Sequence, residues 1–415
     1  MPREVFTDGD SEVFTTGNCF ECMAMELVLR FDGRELLEKV LDLHHVYNET
    51  LHSYDPKIPP HYDQEYPTNV SMQLLILSID SLRELSMDFS VNAYLRQSWT
   101  DPRLRYDNIS DVKRLELDQK LLNSVWVPDT FFSNEKYAFV HDVTVPNRLL
   151  HVYSDGRVMY SMRVSMTLSC QMNLHNYPLD VQRCPIVIES YGYSTDNVLF
   201  NWHETHPVEI PNVGLPQFSL EKHPVGHYCN KKYGIAGTFS CLNTTLTFRR
   251  NQGYYFAQIF IPSMLIVALS WVSFWVDPEA TPARISLGVL TVLTLTTQTS
   301  GTRAQLPMVS YIKAIDIWMS TCMIFVFSAL LEYAYINVLS RRKNRPVRTN
   351  KECQGAMVND ANPNPLMPFI KLIDFKREAR KVDRISRILF PSMFVCFNIG
   401  FWTFYSYLNR DNEFN

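Results

Sequence analysis

Hydroxyl and amide side chains crowd the middle and outer half of one stretch of this chain, Pro282 to Ala304, among them Thr291, Thr294, Thr296, Thr297, Gln298, Thr299 and Ser300. Such groups exchange hydrogen bonds with water and with ions that travel in it. At helical spacing Ser286, Leu290, Leu293, Thr297 and Ser300 fall on one stripe. A mixed polar and leucine stripe suits the wall of a water-filled path with an apolar constriction that can dewet. A bundle helix whose Ser and Thr bond back to its own carbonyls fits the same residues. The stretch is 23 residues long, enough to cross a bilayer and too polar to face lipid all round. One helix cannot enclose a path, so several copies must surround it.

Two other groups could do chemistry. All eleven histidines lie before residue 228, His203-x-x-His206 among them, and histidine titrates near neutral pH and ligates metals. The pair is not a complete zinc site, and no metal is assigned. Six of nine cysteines precede the first apolar run. Cys170 and Cys184 enclose thirteen residues, QMNLHNYPLDVQR, a loop whose closure stabilises by about 3 kcal/mol. Its apolar tip, Leu174 to Leu179, suits packing on a membrane domain better than exposure. Cys229 and Cys241 enclose a hairpin with Gly234 and Gly237 for turning. Cys19-x-x-Cys22, without partner ligands nearby, reads as a local disulfide rather than zinc. The enzyme reading lacks parts: there is no GxSxG, phosphate loop or HExxH, and no cofactor is implied.

The elements that must position these groups divide the 415 residues in two. A mean hydropathy of −0.13 averages a soluble first part and four apolar runs, about 254–276, 282–304, 314–339 and 386–408. The first part carries four sequons, at Asn48, Asn69, Asn108 and Asn243, which with the cysteines suit an extracellular domain. Between the third and fourth runs, 13 basic and 5 acidic residues from Arg341 to Arg387 place that linker in the cytosol. Four crossings then return both termini to the outside. A net charge of −4 without a basic stripe argues against nucleic acid.

Asp32 to Tyr47 has the apolar spacing of an amphipathic helix. Period-two runs follow. In the clearest, Met87, Phe89, Val91, Ala93 and Leu95 face one way, and Asp88, Ser90, Asn92, Tyr94 and Arg96 the other. Further strands are read at Val70–Leu77, Trp126–Phe132, Leu149–Val152, Val158–Leu168, Val181–Ser190 and Thr244–Arg249. Many strands with turn-rich links predict an antiparallel β-sandwich. Phe375 to Arg387 reads as a helix entering the last span. The expected domains are 1–252, extracellular; 253–340, three membrane helices; 341–384, cytosolic; and 385–415, the last helix and an outer C-terminus. An adhesion protein would explain the sandwich and sequons, but not a polar stripe through a membrane helix.

Over nearly its whole length the sequence resembles subunits of the Cys-loop, or pentameric ligand-gated, receptor family. The resemblance rests on Cys170–Cys184 with Tyr177-Pro178-Leu179-Asp180, WVPDTFFSNEK at 126–136, WVSFW at 271–275, PARISLGVLTVLTLTTQTSG and SYIKAIDIW at 310–318. It is nearest the anion-selective glycine, GABA and glutamate-gated branch. The resemblance implies an extracellular β-sandwich with an N-terminal helix above four membrane helices, and five subunits around a pore lined by the second. It implies the plasma membrane, at a synapse, with membrane lipid around the helices.

Cation-selective relatives carry a carboxylate just before the basic residue at the cytosolic mouth. Here Pro282-Ala283 precede Arg284, so that Arg284, Arg303 and the helix dipoles favour chloride. The resemblance makes Leu293 the gate ring. Leu290 replaces the threonine usual in anion channels, adding a second apolar ring and leaving block by picrotoxin-like plugs unimplied. It also implies a small-molecule agonist between subunits. On the principal face the matching residues are Phe131, Glu189, Ser190, Tyr191, Tyr233, Thr238 and Phe239, aromatic faces for an ammonium group with Glu189 and the Ser190 carbonyl as acceptors. On the complementary face they are Tyr94, Arg96 and Ser161, with Arg96 gripping a carboxylate. That describes a zwitterion of the glycine or GABA kind. A second basic residue for glutamate is not evident, Lys57 being a weak candidate. The histidines keep open a channel gated by protons, hydroxide or zinc.

Overall fold

The computed structural model describes residues 54–62, 64–108, 112–117, 119–211, 214–220, 224–277, 280–341 and 375–414. The expected helix at Asp32–Tyr47, the Cys19–Cys22 pair, the Asn48 sequon and most of the cytosolic linker lie outside these residues.

Alternation of apolar and polar side chains decides the strands. In β1 (Thr68–Arg83) and β2 (Asp88–Thr100), the inward positions Val70, Met72, Leu74, Phe89, Val91 and Ala93 are wholly buried. Burying each of the larger ones stabilises the fold by about 1.5–3 kcal/mol. Met87, read as the first residue of β2, instead has φ of 53° and belongs to the turn before it. Eleven more strands follow among the described residues: β3 (Arg114–Leu117), β4 (Thr130–Phe132), β5 (Glu135–Val140), β6 (Arg148–Tyr153), β7 (Arg157–Ser169), β8 (Val181–Ser194), β9 (Val198–Trp202), β10 (Val208–Glu209), β11 (Phe218–Leu220), β12 (Gly226–Lys232) and β13 (Thr238–Arg250). The strand expected over Trp126–Phe132 shrinks to β4, because Pro128 has no N–H to donate to a ladder.

One sheet runs β10-β1-β2-β7-β6-β3, with β5 joined to β7 and β9 to β1; the other runs β11-β13-β8-β4, with β12 joined to β13. The sheets pack face to face. Phe89 of the first meets Phe248 of the second edge-on at 5.9 Å, and Trp99 meets Trp126 at 5.5 Å. Cys229 and Cys241 lie opposite each other across β12 and β13 and are bonded, as are Cys170 and Cys184. Asn69 and Asn108 are exposed. Asn243, read as a sequon, is half-buried on β13 between β8 and β12, with its amide oxygen shut away from solvent. A glycan is poorly placed there.

Among the described residues four long helices complete the fold: α1 (Gly253–Trp275), α2 (Thr281–Ala304), α3 (Ala314–Arg341) and α4 (Phe375–Phe414). α1, α3 and the Arg380–Tyr407 part of α4 are each long and apolar enough to cross a membrane. The polarity of α2 keeps it out of that group. An aromatic cluster holds α4 against α1 and α3. At its centre Trp318 is fully buried, donates its indole N–H to Ser263 Oγ at 2.9 Å and packs on Phe260 at 5.0 Å and Phe401 at 5.1 Å.

The tip of the Cys170–Cys184 loop is the joint between sandwich and helices. Leu174 is wholly buried and Leu179 nearly so, as its apolar sequence required. The Leu174 N–H donates to the Tyr311 hydroxyl at 3.1 Å, and the ring of Tyr311 stacks on His175 at 4.0 Å. The N–H groups of Ala314 and Ile315 donate to the carbonyls of His175 and Tyr177, at 2.8 and 3.1 Å. Beside this joint the Arg250 side chain is fully buried. It donates to Asp180 at 2.7 and 3.2 Å, to Glu84 at 2.5 Å and to the Tyr255 hydroxyl at 3.0 Å, between the rings of Tyr177 and Phe218.

Candidate functional site

The five-stranded sheet builds an aromatic wall. β4 and β8 pair so that Phe131 stands opposite Glu189, and the outer end of β8 carries Tyr191 into solvent. The Phe131 and Tyr191 rings meet edge-on at 5.6 Å. On the bonded hairpin Tyr233 meets Phe239 edge-on at 5.9 Å, and Thr238 sits opposite Lys232 at the hairpin neck. The tip needs glycine, since Gly234 and Gly237 have φ of +47° and +108°. Asp129 clamps the outer end of β8, accepting from Ser190 Oγ at 2.7 Å and from the Gly192 N–H.

The carboxylate of Glu189 lies at the base of this wall, fully buried. Tyr233 donates its hydroxyl to Oε2 at 2.9 Å, and Lys231 donates its ammonium to Oε1 and, at 3.1 Å, to Ser133 Oγ. Burial alone would push the carboxyl up. The hydrogen bonds from Lys231, Ser133 and Tyr233 outweigh it and hold Glu189 below the usual carboxylate range. The free acceptor expected at Glu189 is therefore an engaged one.

The eight-stranded sheet builds the other wall. Its register puts Gln73, Arg96, Ser161 and Leu149 in one row across β1, β2, β7 and β6. Tyr94, two residues from Arg96, shares the face. Together with Met159 and the 143–148 loop they line a cleft of about 810 Å³. Arg96 donates to Gln73 Oε1 at 3.2 Å, and the other end of that amide donates to Glu209 at 3.2 Å. His206 lies 3.4 Å from the same Glu209 oxygen. A second guanidinium, Arg148, lines the cleft, whereas Lys57 does not. No short-range sequence signal marks Arg148, which reaches the cleft only through the pairing of β6 with β7.

On α2 the predicted stripe is open: Leu290 and Leu293 are 56% and 58% exposed in the single subunit, and Pro282, Ala283, Ser286, Thr297 and Ser300 are exposed with them. The hydroxyls also bond back to the helix. Ser286 donates to the Pro282 carbonyl and Thr297 to the Thr294 carbonyl, each at 2.8 Å, which leaves their lone pairs for water. Arg284 departs from expectation. Its side chain is fully buried, donates twice to Asp383 of α4 at 3.0 and 2.9 Å, and bonds the Val276 carbonyl. Its charge is balanced inside the bundle rather than presented at the mouth. Arg303 is 60% exposed at the other end of α2, 3.5 Å from Asp316. Among the described residues no three His, Cys, Asp or Glu side chains gather as a metal site.

Two family models account for this arrangement. Residues 43–252 match the neurotransmitter-gated ion-channel ligand binding domain, and residues 259–367 the neurotransmitter-gated ion-channel transmembrane region. The chain belongs to the neurotransmitter-gated ion-channel family. As a member it is a ligand-gated channel subunit and not an enzyme. In this neurotransmitter-gated channel, the sandwich carries both candidate ligand walls and the helices carry the open stripe. The sequence resemblance brought forward every aromatic residue of the first wall. It missed Lys231, Asp129, Gln73, Glu209 and Arg148, whose roles depend on partners far away in the chain.

Proposed function

We propose that this chain is a chloride-channel subunit that an amino acid of the glycine or GABA kind opens by binding between neighbouring subunits. Five subunits, identical or mixed, surround a pore lined by α2, with the sandwich and C-terminus outside the plasma membrane, as at a synapse. The observation that carries the reading is the pairing of two chemistries. One sheet offers an aromatic wall with a buried carboxylate, the other a cleft holding Arg96. The aromatic faces suit an ammonium group and the guanidinium fork a carboxylate. Domain limits near 252, 340 and 384, and glycans at Asn69 and Asn108, belong to the same reading.

Anion preference is supported by the N-terminus of α2 and its neighbours. Pro282-Ala283 carry no acid there, and five converging helix N-termini present partial positive charge. With Arg284 paired to Asp383, these dipoles and the missing acidic ring carry the preference. Leu293, one turn beyond Leu290, closes the pore as an apolar ring.

A channel gated by pH or zinc is the second reading, favoured by the run of contacts His206–Glu209–Gln73–Arg96. It ties an exposed titratable ring to the cleft arginine.

Whole-cell current tests both. Glycine, GABA, glutamate, zinc and stepped pH are applied in turn, with reversal read under two chloride gradients. Current evoked by an amino acid and following the chloride potential is expected; current evoked only by pH or zinc selects the second reading. Arg96→Ala should raise the half-maximal amino-acid concentration about ten- to hundredfold, the loss of a charged hydrogen-bond pair. Its reversal potential should not move. A shifted reversal with unchanged sensitivity would remove Arg96 from the ligand site.

A further inference from the structure

Glu189 carries a negative charge at a wholly buried position, and both of its oxygens are engaged by one hairpin. Lys231 and Tyr233 are two residues apart there, so alternation along β12 and its end puts both on the Glu189 side. Lys231 is anchored a second time at Ser133 Oγ, 3.1 Å away. An ammonium group already sits at the carboxylate beneath the aromatic wall, and it belongs to the chain itself.

We propose that Lys231 is the tethered resting occupant of the ammonium position, and that agonist binding is an exchange at Glu189. The ligand's ammonium takes the Oε1 bond, and the Lys231 side chain swings into water. This rests on the amino-acid reading above. Three observations make the exchange feasible. The Lys231 side chain is 39% exposed while that of Glu189 is 1% exposed, so the cation has a way out and the anion does not. A lysine head turns on a flexible four-carbon stem, unlike a guanidinium fork. Glu189 keeps a positive partner before and after, so no buried charge is left alone. Tyr233, bonded to the other oxygen, stays as the pivot of the hairpin.

The exchange has consequences for selectivity. A tethered group acts at an effective concentration of order millimolar, so an agonist must outcompete an internal rival. A carboxylate lacking an ammonium group cannot displace Lys231 and would occupy only the Arg96 cleft.

Lys231→Met removes the rival while keeping an apolar stem. It should lower the half-maximal concentration of GABA or glycine about tenfold, the equivalent of about 1.4 kcal/mol. Lys231→Arg, whose fork grips a carboxylate with two bonds, should raise it instead, and butyrate, which has no ammonium, should gain nothing from either variant. A K231M channel that needs more GABA, or the same amount, overturns the exchange and leaves the amino-acid reading standing. If wild type ignores both amino acids and K231M answers them, the exchange stands and the reading of the native agonist falls. Silence from both at normal surface density overturns the two together. Should K231M be retained inside the cell, the wild-type channel answers by amine acetylation and mass spectrometry. Lys231 should be protected at rest and labelled when GABA or glycine is present; labelling that stays level or falls overturns the proposal.

Discussion

Replacing Arg250 with glutamine should leave the subunit unable to reach the cell surface in quantity, and should lower its melting midpoint in detergent. The guanidinium is fully buried, with Asp180 and Glu84 as its counter-charges at 2% and 16% exposure. Glutamine keeps the polarity but cannot cancel two carboxylates. Removing one partner of a buried ion pair costs about 3–5 kcal/mol, against a typical total of about 5–15. The loss is not confined to one element. Arg250 ends β13, Asp180 and Tyr177 belong to the Cys170–Cys184 loop, and Tyr255 opens α1. Arg250→Lys retains charge without the planar fork and should fall between. Fluorescence-detected size exclusion after heating, with surface labelling, reads the effect. A wild-type profile for Arg250→Gln would mean that this node carries no stability.

Asp383→Leu should be nearly as damaging, and its partial cure should come from a second loss. The single change takes the paired carboxylate from the buried Arg284 guanidinium at the foot of α2, leaving it the Val276 carbonyl, the Tyr333 ring at 5.8 Å and the more distant acid Glu332. A penalty of about 3–5 kcal/mol follows. In Arg284→Leu/Asp383→Leu neither charge remains, and apolar replacement of a buried pair is often close to neutral. The double variant should recover much of the surface expression, giving a coupling of about 2–3 kcal/mol in a double-mutant cycle. On the chloride reading proposed above, its current should still reverse at the chloride potential, because in that reading the paired Arg284 does not supply the anion preference. Loss of chloride selectivity in the rescued double variant would return Arg284 to the pore mouth.

These two nodes mark where sequence reasoning stops. Periodicity reports on one element at a time, and it found β2, the four long helices and the open stripe of α2. It also showed that an apolar loop tip needs a cover. It could not find that Arg284 meets a carboxylate 99 residues later, or Lys231 one 42 residues earlier. With Arg284 read on α2 alone, its charge had no visible partner and was assigned to the mouth. β5 escaped because both faces are largely exposed, which erases the alternation. β9 to β11 have five residues or fewer, and their signal is no stronger than that of turns. Of the candidate ligand walls, the aromatic residues were legible through resemblance. The polar residues behind Arg96 come together only when β1, β2 and β10 pair.

The joint at the loop tip carries a consequence for engineering. Its two inter-domain bonds from Ala314 and Ile315 run from main-chain N–H to main-chain carbonyl. Any residue but proline can supply such a donor, and every residue supplies the acceptor. The sandwich of this chain should therefore tolerate grafting onto the helices of a relative, with the crossover placed after Arg250. What such a chimera must match is the shape of the tip, the ring at Tyr311 and the hydroxyl that Tyr255 offers to Arg250, a far smaller set of positions than either domain contains.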